Sequence, residues 1–343
     1  MKTTILIGTG LVMLAWAQTN PAAAQASGDG SGQSASDGEV QVLPVQGNVY
    51  LLAGAGGNIT VQVGDQGVLV VDTGSGAKNA RVLAAIRKLS NKPLQYIINT
   101  NMEPEHTGGN DFIRGAGVTI TGANVAGNLT DAGVGAQIIA QENVLTRMSA
   151  PTGKAAPTPF GAWPTDTYVS GQKEVFFNGE PVRAVFQPNA ETDGDSIVVF
   201  RHSDVVSTGD IFNDESFPFI DLEHGGSIQG EIDALNRILD IAIPKHDEEG
   251  GTYIIPGHGR ICDEFDVLEY RDMVTIIRDR VQAAIKEGMT LDQVKAADLT
   301  KDYDVRWGAK SGPSTSENFI TAVYKSLTTG KKPAARAQSA SAR

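Results

Sequence analysis

The sequence predicts an α/β protein in which two packed β-sheets carry helices on their outer faces. Three observations lead there. Residues 40–72 contain four short alternating or fully apolar runs, VQVLPV, VYLLAG, NITVQVG and GVLVVDTG, separated by glycine and asparagine. Residues 168–208 repeat that strand-rich pattern, and the apolar triplet Tyr253-Ile254-Ile255 follows. Helical spacing succeeds each group, over 80–89 after the first and over 226–239 and 265–287 in the second half. Two strand-rich units, each closed by helices, bury most apolar surface when the sheets face each other and the helices cover the outside.

Length and composition agree with a large globular core. The chain has 343 residues, 41% of them hydrophobic, and 39 glycines, enough for one large or two modest domains rich in turns. Residues 1–26 read as a signal peptide: Lys2, an apolar run from Ile5 to Trp16, then the small-residue stretch Pro21 to Ala26. That run is shorter than the roughly 20 residues a membrane-spanning helix needs, so cleavage near Ala24 or Ala26 and a periplasmic or secreted destination are expected. Residues 27–38, SGDGSGQSASDG, read as a flexible leader, 39–329 as the folded domain, and 330–343 as a disordered tail. Cys262 is the only cysteine, so no internal disulfide can form and a cysteine-based zinc cluster is excluded. Net charge is −12, or −13 once a signal carrying Lys2 is removed. Such a surface repels nucleic acid and anionic lipid, leaving a small molecule as the expected partner. The oligomeric state is open.

Each element follows from local pattern. The cluster Gly54-Ala55-Gly56-Gly57-Asn58 precedes a strand, whereas a nucleotide-binding glycine loop precedes a helix, so it reads as a turn. Tyr96-Ile97-Ile98 ends a strand that runs into a polar turn stiffened by Pro104 and released by Gly108 and Gly109. VTITGA, at 118–123, reads as a further strand, and 136–148 as a helix carrying Gln141, Glu142 and Asn143. Residues 150–165, rich in proline and small residues, form a loop able to roof a site, with Trp163 as its clasp or its substrate contact. Strands are expected around Tyr168, over 174–178, 182–187, 196–201 and 205–208. The last part is helical over 265–287, 291–297 and 314–327.

Chemistry concentrates in residues 96–112, YIINTNMEPEHTGGNDF, where Asn101, Glu103, Glu105 and His106 follow a strand end within six positions. This segment resembles the metallo-β-lactamase superfamily, whose corresponding stretch reads T-H-x-H-x-D-H and then a T-G-G-N-like tail. Thr100 and His106 match it, Glu105 stands for the aspartate, and Asn101 and Glu103 stand for the first two histidines. Three later segments fit the same frame: Glu191 where the family places a histidine, Asp210 in Ser207-Thr208-Gly209-Asp210 where an aspartate bridges two metals, and His258 in Pro256-Gly257-His258-Gly259. The resemblance implies a four-layer αββα sandwich of two mixed β-sheets flanked by helices.

Carried over residue by residue, it implies one metal place lined by Glu105, His106, Asp210 and His258, suited to a single divalent ion such as zinc, iron or manganese. A second place would be lined by Asn101, Glu103, Glu191 and Asp210, with oxygen ligands suited to harder cations. Glu103, Glu105, Glu191 and Asp210 in one cleft would repel without a cation, so at least one should be protonated near neutrality or the cleft must be wet. The resemblance implies a metal-dependent hydrolase of a small ester, thioester, lactone, amide or phosphoester, with Glu103 or Glu191 as general base and Asp210 at the centre. The alternative is a non-catalytic binding protein that kept the fold and lost the dinuclear site, with His106 and His258 as structural histidines. Convergence of His106, Asp210 and His258 with Glu105 on one point favours the enzyme, and divergence favours the binder.

Overall fold

Among the described residues twelve strands form two sheets, because the chain alternates inward and outward apolar residues on both. A computed structural model describes residues 38–118, 135–150, 156–247 and 250–329. The signal, nearly all of the leader, the tail and most of the expected 118–123 strand lie outside the described residues. The first sheet holds β1 (Gln41–Gln46), β2 (Val49–Ala53), β3 (Ile59–Gly64), β4 (Gly67–Val71), β5 (Leu94–Ile98), β6 (Gln137–Gln141) and β7 (Asp166–Tyr168) in that spatial order. Pairing is antiparallel from β1 to β4 and parallel from β4 to β7. The second sheet holds β8 (Gln172–Phe177), β9 (Glu180–Phe186), β10 (Ser196–Phe200), β11 (Val205–Ser207) and β12 (Tyr253–Ile255), antiparallel except for the β11–β12 pair.

The pleat sorts side chains into layers. Leu69, Val71 and Ile98 meet Val182, Val198 and Phe200 between the sheets. The alternate residues Val68, Val70 and Ile97 face outward onto Val82 and Ile86 of α1 (Asn79–Leu89). On the far side, Ile197, Val199 and Ile254 pack under α5 (Ile228–Ile241), α6 (Glu264–Lys286) and α9 (Ser316–Thr328). The result is the expected αββα sandwich of two mixed sheets. Short helices α2 (Pro104–Thr107), α3 (Asn110–Gly115), α4 (Glu142–Ser149), α7 (Leu291–Ala296) and α8 (Asp304–Trp307) fill the connections. Among the described residues no helix is long and apolar enough to cross a membrane.

One expected helix is corrected. Residues 136–148 split into β6 and α4, because Gln141 adopts an extended backbone and its side chain accepts from the Asn143 amide, capping the helix that begins one residue later. Ile138, Ile139 and Ala140 are thereby placed in the sheet rather than on a helix face. Trp163 is a clasp: it stacks edge-on with Phe160 and packs with Met102 against Ala140, Val144 and Met148.

Candidate metal centre

The parallel strands of both sheets deliver their carboxyl ends to one edge of the sandwich, and the loops leaving them carry most polar groups of the site. β4 runs into Asp72, β5 into Asn101 to His106, β11 into Asp210 and β12 into His258. The β9–β10 connection supplies Glu191 from the same edge, as the antiparallel pairing Ser196↔Phe186 requires. Backbone hydrogen bonds tie the sheets there, from Ser196 to Thr100 O and from Asn58 to Gly257 O, both 2.8 Å. The Asn58 side chain also donates to Pro256 O and Gly259 O, so the turn at 54–58 fixes the loop carrying His258.

His106 is the fixed point. It sits fully buried on α2, whose first residue is Pro104. Its Nδ1 lies 2.8 Å from Asp72 Oδ2, while Asp72 also accepts from the Thr100 amide and hydroxyl at 2.9 and 2.7 Å. Asp72 adopts a left-handed backbone, φ +64°, which a short polar side chain tolerates. A carboxylate on Nδ1 sets the tautomer that leaves Nε2 as a lone-pair donor toward the cleft. Glycine behind the ring leaves it room, since a Cβ at Gly57 would stand 2.6 Å from His106 Cε1.

Around Nε2 the other donors gather. Glu105, His106, Asp210 and His258 each offer one ligand atom, and these atoms all lie within 4.8 Å of one another. Nε2 of His106 stands 2.9 Å from Asp210 Oδ2 but out of hydrogen-bond alignment, and both that nitrogen and Asp210 Oδ1 are buried without a hydrogen-bond partner among the described residues. His258 Nε2 lies 3.3 Å from Glu105 Oε1 and 3.5 Å from Asp210 Oδ1. Side-chain exposure rises from 0% at His106 through 10% at Asp210 and 23% at His258 to 48% at Glu105. Two imidazoles and two carboxylates with orphaned donor atoms, buried on one side and open on the other, fit one divalent cation with an accessible position.

The other expected ligands sit differently. Asn101 is buried; its Oδ1 accepts the Glu103 amide at 2.9 Å, and its Nδ2 donates to Asp210 Oδ2 at 3.1 Å and reaches Glu191 Oε2 at 3.5 Å. An amide donor thus lies between two of the carboxylates expected around a second ion. Glu103 and Glu191 line the same cleft, about 120 Å³, together with Glu105, Asp210, Phe219 and His258.

Burial and neighbouring charges shift the carboxyls of the cleft in opposite directions. Burial works against an ionised Asp210, yet His106, His258 and the Asn101 amide hold its pKa down to about 2. The His258 hydrogen bond likewise lowers Glu105. Burial disfavours charge on His106, and Asp210 and Asp72 outweigh it, raising the imidazole well above its ordinary value. Burial first, then Asp210, raises Glu103 and pushes Glu191 well up. The cost of gathering carboxylates therefore falls on Glu103 and Glu191 rather than on the two-histidine group.

A second group, Asp214, Cys262 and Asp266, also has ligand atoms within 4.8 Å. Arg260 already fills it, pairing with Asp266 at 2.6 Å and Asp214 at 3.3 Å, and burial pushes the Cys262 thiol up, away from the thiolate a metal needs. His224 is bound to Asp221 and lines no part of the metal cleft, and His246 is exposed.

Asp72, which holds the His106 ring, and Gly57, which gives it room, are the positions around the cleft that sequence reasoning did not assign to it. The available signal for Asp72 was a carboxylate immediately after the fully buried run GVLVV.

A donor set able to hold a cation, on loops at one edge of an αββα sandwich, defines the class: a two-sheet fold with a partial, variant metal-ligand cluster. The sequence profile of the metallo-beta-lactamase superfamily matches residues 43–258, more than half of the chain, and the protein belongs to that superfamily. Among solved structures it is similar to the stereoselective inverting sec-alkylsulfatase Pisa1 from Pseudomonas sp., with TM-score 0.55 and 16% identity over 83% of this chain and 50% of that one. A double mutant of the same sulfatase gives TM-score 0.58 at the same identity and coverage. The chain thus spans half the length of the sulfatase. A metallo-beta-lactamase from Pontibacter korlensis is similar at TM-score 0.50 and 12% identity, over 69% of this chain and 99% of that one. At these identities the likeness concerns fold alone. Comparison with curated proteins by sequence finds no match.

Proposed function

We propose that this protein is an exported metal-dependent hydrolase of a small ester, thioester, lactone, amide or phosphoester. The convergence of Glu105, His106, Asp210 and His258 carries the reading, because one ligand atom of each lies within 4.8 Å of the others at the open edge of the sandwich. A divalent cation held by those four would supply Lewis acidity and a water of lowered pKa. Asp72 keeps His106 Nε2 turned into the cleft, and Asp210 is held ionised between the histidines. Glu103 lines the cleft without belonging to the four-residue group, which suits it to take a proton from water as the water oxygen bonds to the acyl carbon or phosphorus. It returns that proton to the leaving group as the scissile bond breaks. The signal-like residues 1–26 support export, which amino-terminal sequencing of the mature protein tests.

The Asn101 amide between Asp210 and Glu191 favours one ion over two. It also supports the second reading, a binding protein without turnover. Replacing Glu103→Gln separates the readings: metal content is expected to stay while hydrolysis of a panel of the named substrate classes falls by about 10²–10⁴-fold. A metal-loaded wild type that turns over no member of the panel leaves the binding protein, and a fully active Glu103→Gln removes Glu103 from the proton path.

A further inference from the structure

The metal cleft is too small for a substrate on its own. At about 120 Å³ it falls well below the roughly 300–1,000 Å³ of small-molecule sites. A groove of about 380 Å³ adjoins it, and the two share Phe219 and Pro313 as lining. From that shared point the groove runs between the segment 218–223 and α9, over Ile220, Leu222 and Ala322, to Lys325 at its far rim. Ile220 is packed into the core, so this wall is fixed, while Phe219 and Leu222 remain half-exposed toward the groove.

The polar residues beside the groove do not make it a charged-ligand site. Both Asp221 oxygens are engaged, Oδ1 by the backbone amides of Glu223 and His224 at 3.0 Å and Oδ2 by the His224 ring. Glu223 and Lys325 are exposed at the rim with opposite charge. Asn318 and Thr321 of α9 also line it, donating to the backbone carbonyls of Gly312 and Glu317, and the rest of the lining is proline, phenylalanine, isoleucine, leucine and alanine.

We infer that the groove is the acyl-arm subsite of the hydrolase, seating an extended apolar chain of several carbons whose scissile group lies at the Glu105–His106–Asp210–His258 cluster. This rests on the hydrolase reading for the reacting end and on the groove alone for the apolar end. Substrates with a medium-length linear acyl chain are then preferred over acetyl ones, since each methylene moved from water into the groove favours binding by about fourfold.

Linear alkyl hydroxamic acids from two to eight carbons, uncharged at neutral pH and able to chelate a metal, separate the two ends. Titrated calorimetrically into the full-length protein, with and without added zinc, they are expected to bind more tightly with each carbon until the groove is filled. In Ala322→Trp the series should flatten, with metal content and the affinity of the two-carbon member unchanged. Ala322→Leu, a smaller intrusion, should flatten it at a longer chain length if the tryptophan variant does not fold. A flat series in wild type, or a series untouched by a folded Ala322 variant, overturns the groove assignment. Chain-length dependence that persists without zinc, in a protein that hydrolyses no member of the ester, thioester, lactone, amide and phosphoester panel, keeps the groove and removes the hydrolase.

Discussion

His106 shows how much one side chain depends on groups remote in sequence. Its ring is held by Asp72 from the preceding strand end, given space by Gly57 and faced by Asp210 from the other sheet. Asp72→Asn is the sharpest probe of that support, because asparagine tolerates the left-handed backbone and keeps an acceptor for Thr100. It no longer holds the Nδ1 proton as a carboxylate does, so metal affinity should fall by about 10–100-fold in a chelator-competition titration while the fold persists. Unchanged affinity would mean that the carboxylate behind His106 is structural only. The residues Asn101 to His106 were legible because they are consecutive and follow a strand. Asp72 was not, because an aspartate followed by Thr73 and Gly74 at a strand end also reads as an ordinary turn.

Helix α5 carries a group that the proposed mechanism leaves unused. Glu231 is fully buried and neither carboxyl oxygen has a hydrogen-bond partner among the described residues. Burial, then Asp195 and Asp210, pushes its pKa well above the ordinary 4.5, so the folded protein keeps it neutral where the unfolded chain ionises it. Stability from this group is therefore present below pH 4.5 and is lost as pH rises, at about 1.4 kcal/mol per unit, until the folded carboxyl also ionises. Glu231→Met removes the titration and the unpaired carboxyl. Its stability advantage over wild type, read from urea melts, should be small at pH 4.5 and grow toward pH 8; an advantage independent of pH would show that Glu231 does not titrate as described. At this scale the long helices were legible from their spacing, and α6 adds a capping box between Asp263 and Asp266. The β6–α4 junction was not, because QIIAQENVLTRM has no glycine or proline to mark where strand becomes helix.

Across the whole molecule, two sheets are fastened at both ends of their shared core. At one end lie the backbone links around Thr100 and Gly257. Near the other, buried Glu180 accepts from Gln62 of the first sheet and from the amides of His202 and Ser203 in the turn joining β10 to β11 of the second. The site edge can therefore hold like charges close together while the opposite edge stays closed. The sandwich was legible because two rounds of apolar alternation permit few other layerings, and the motif order placed the site edge. The groove beside α9 was not, since it joins residues about 100 positions apart through a contact that no local pattern encodes.

Elemental analysis of protein purified without chelator decides whether Glu105, His106, Asp210 and His258 form one metal centre. Alongside it goes Asp210→Ala, which removes the carboxylate that contacts both histidines of the group. One equivalent of a divalent metal in the wild type, lost in the variant, is the predicted result. A wild type that holds no metal after exposure to zinc, manganese and iron would contradict it.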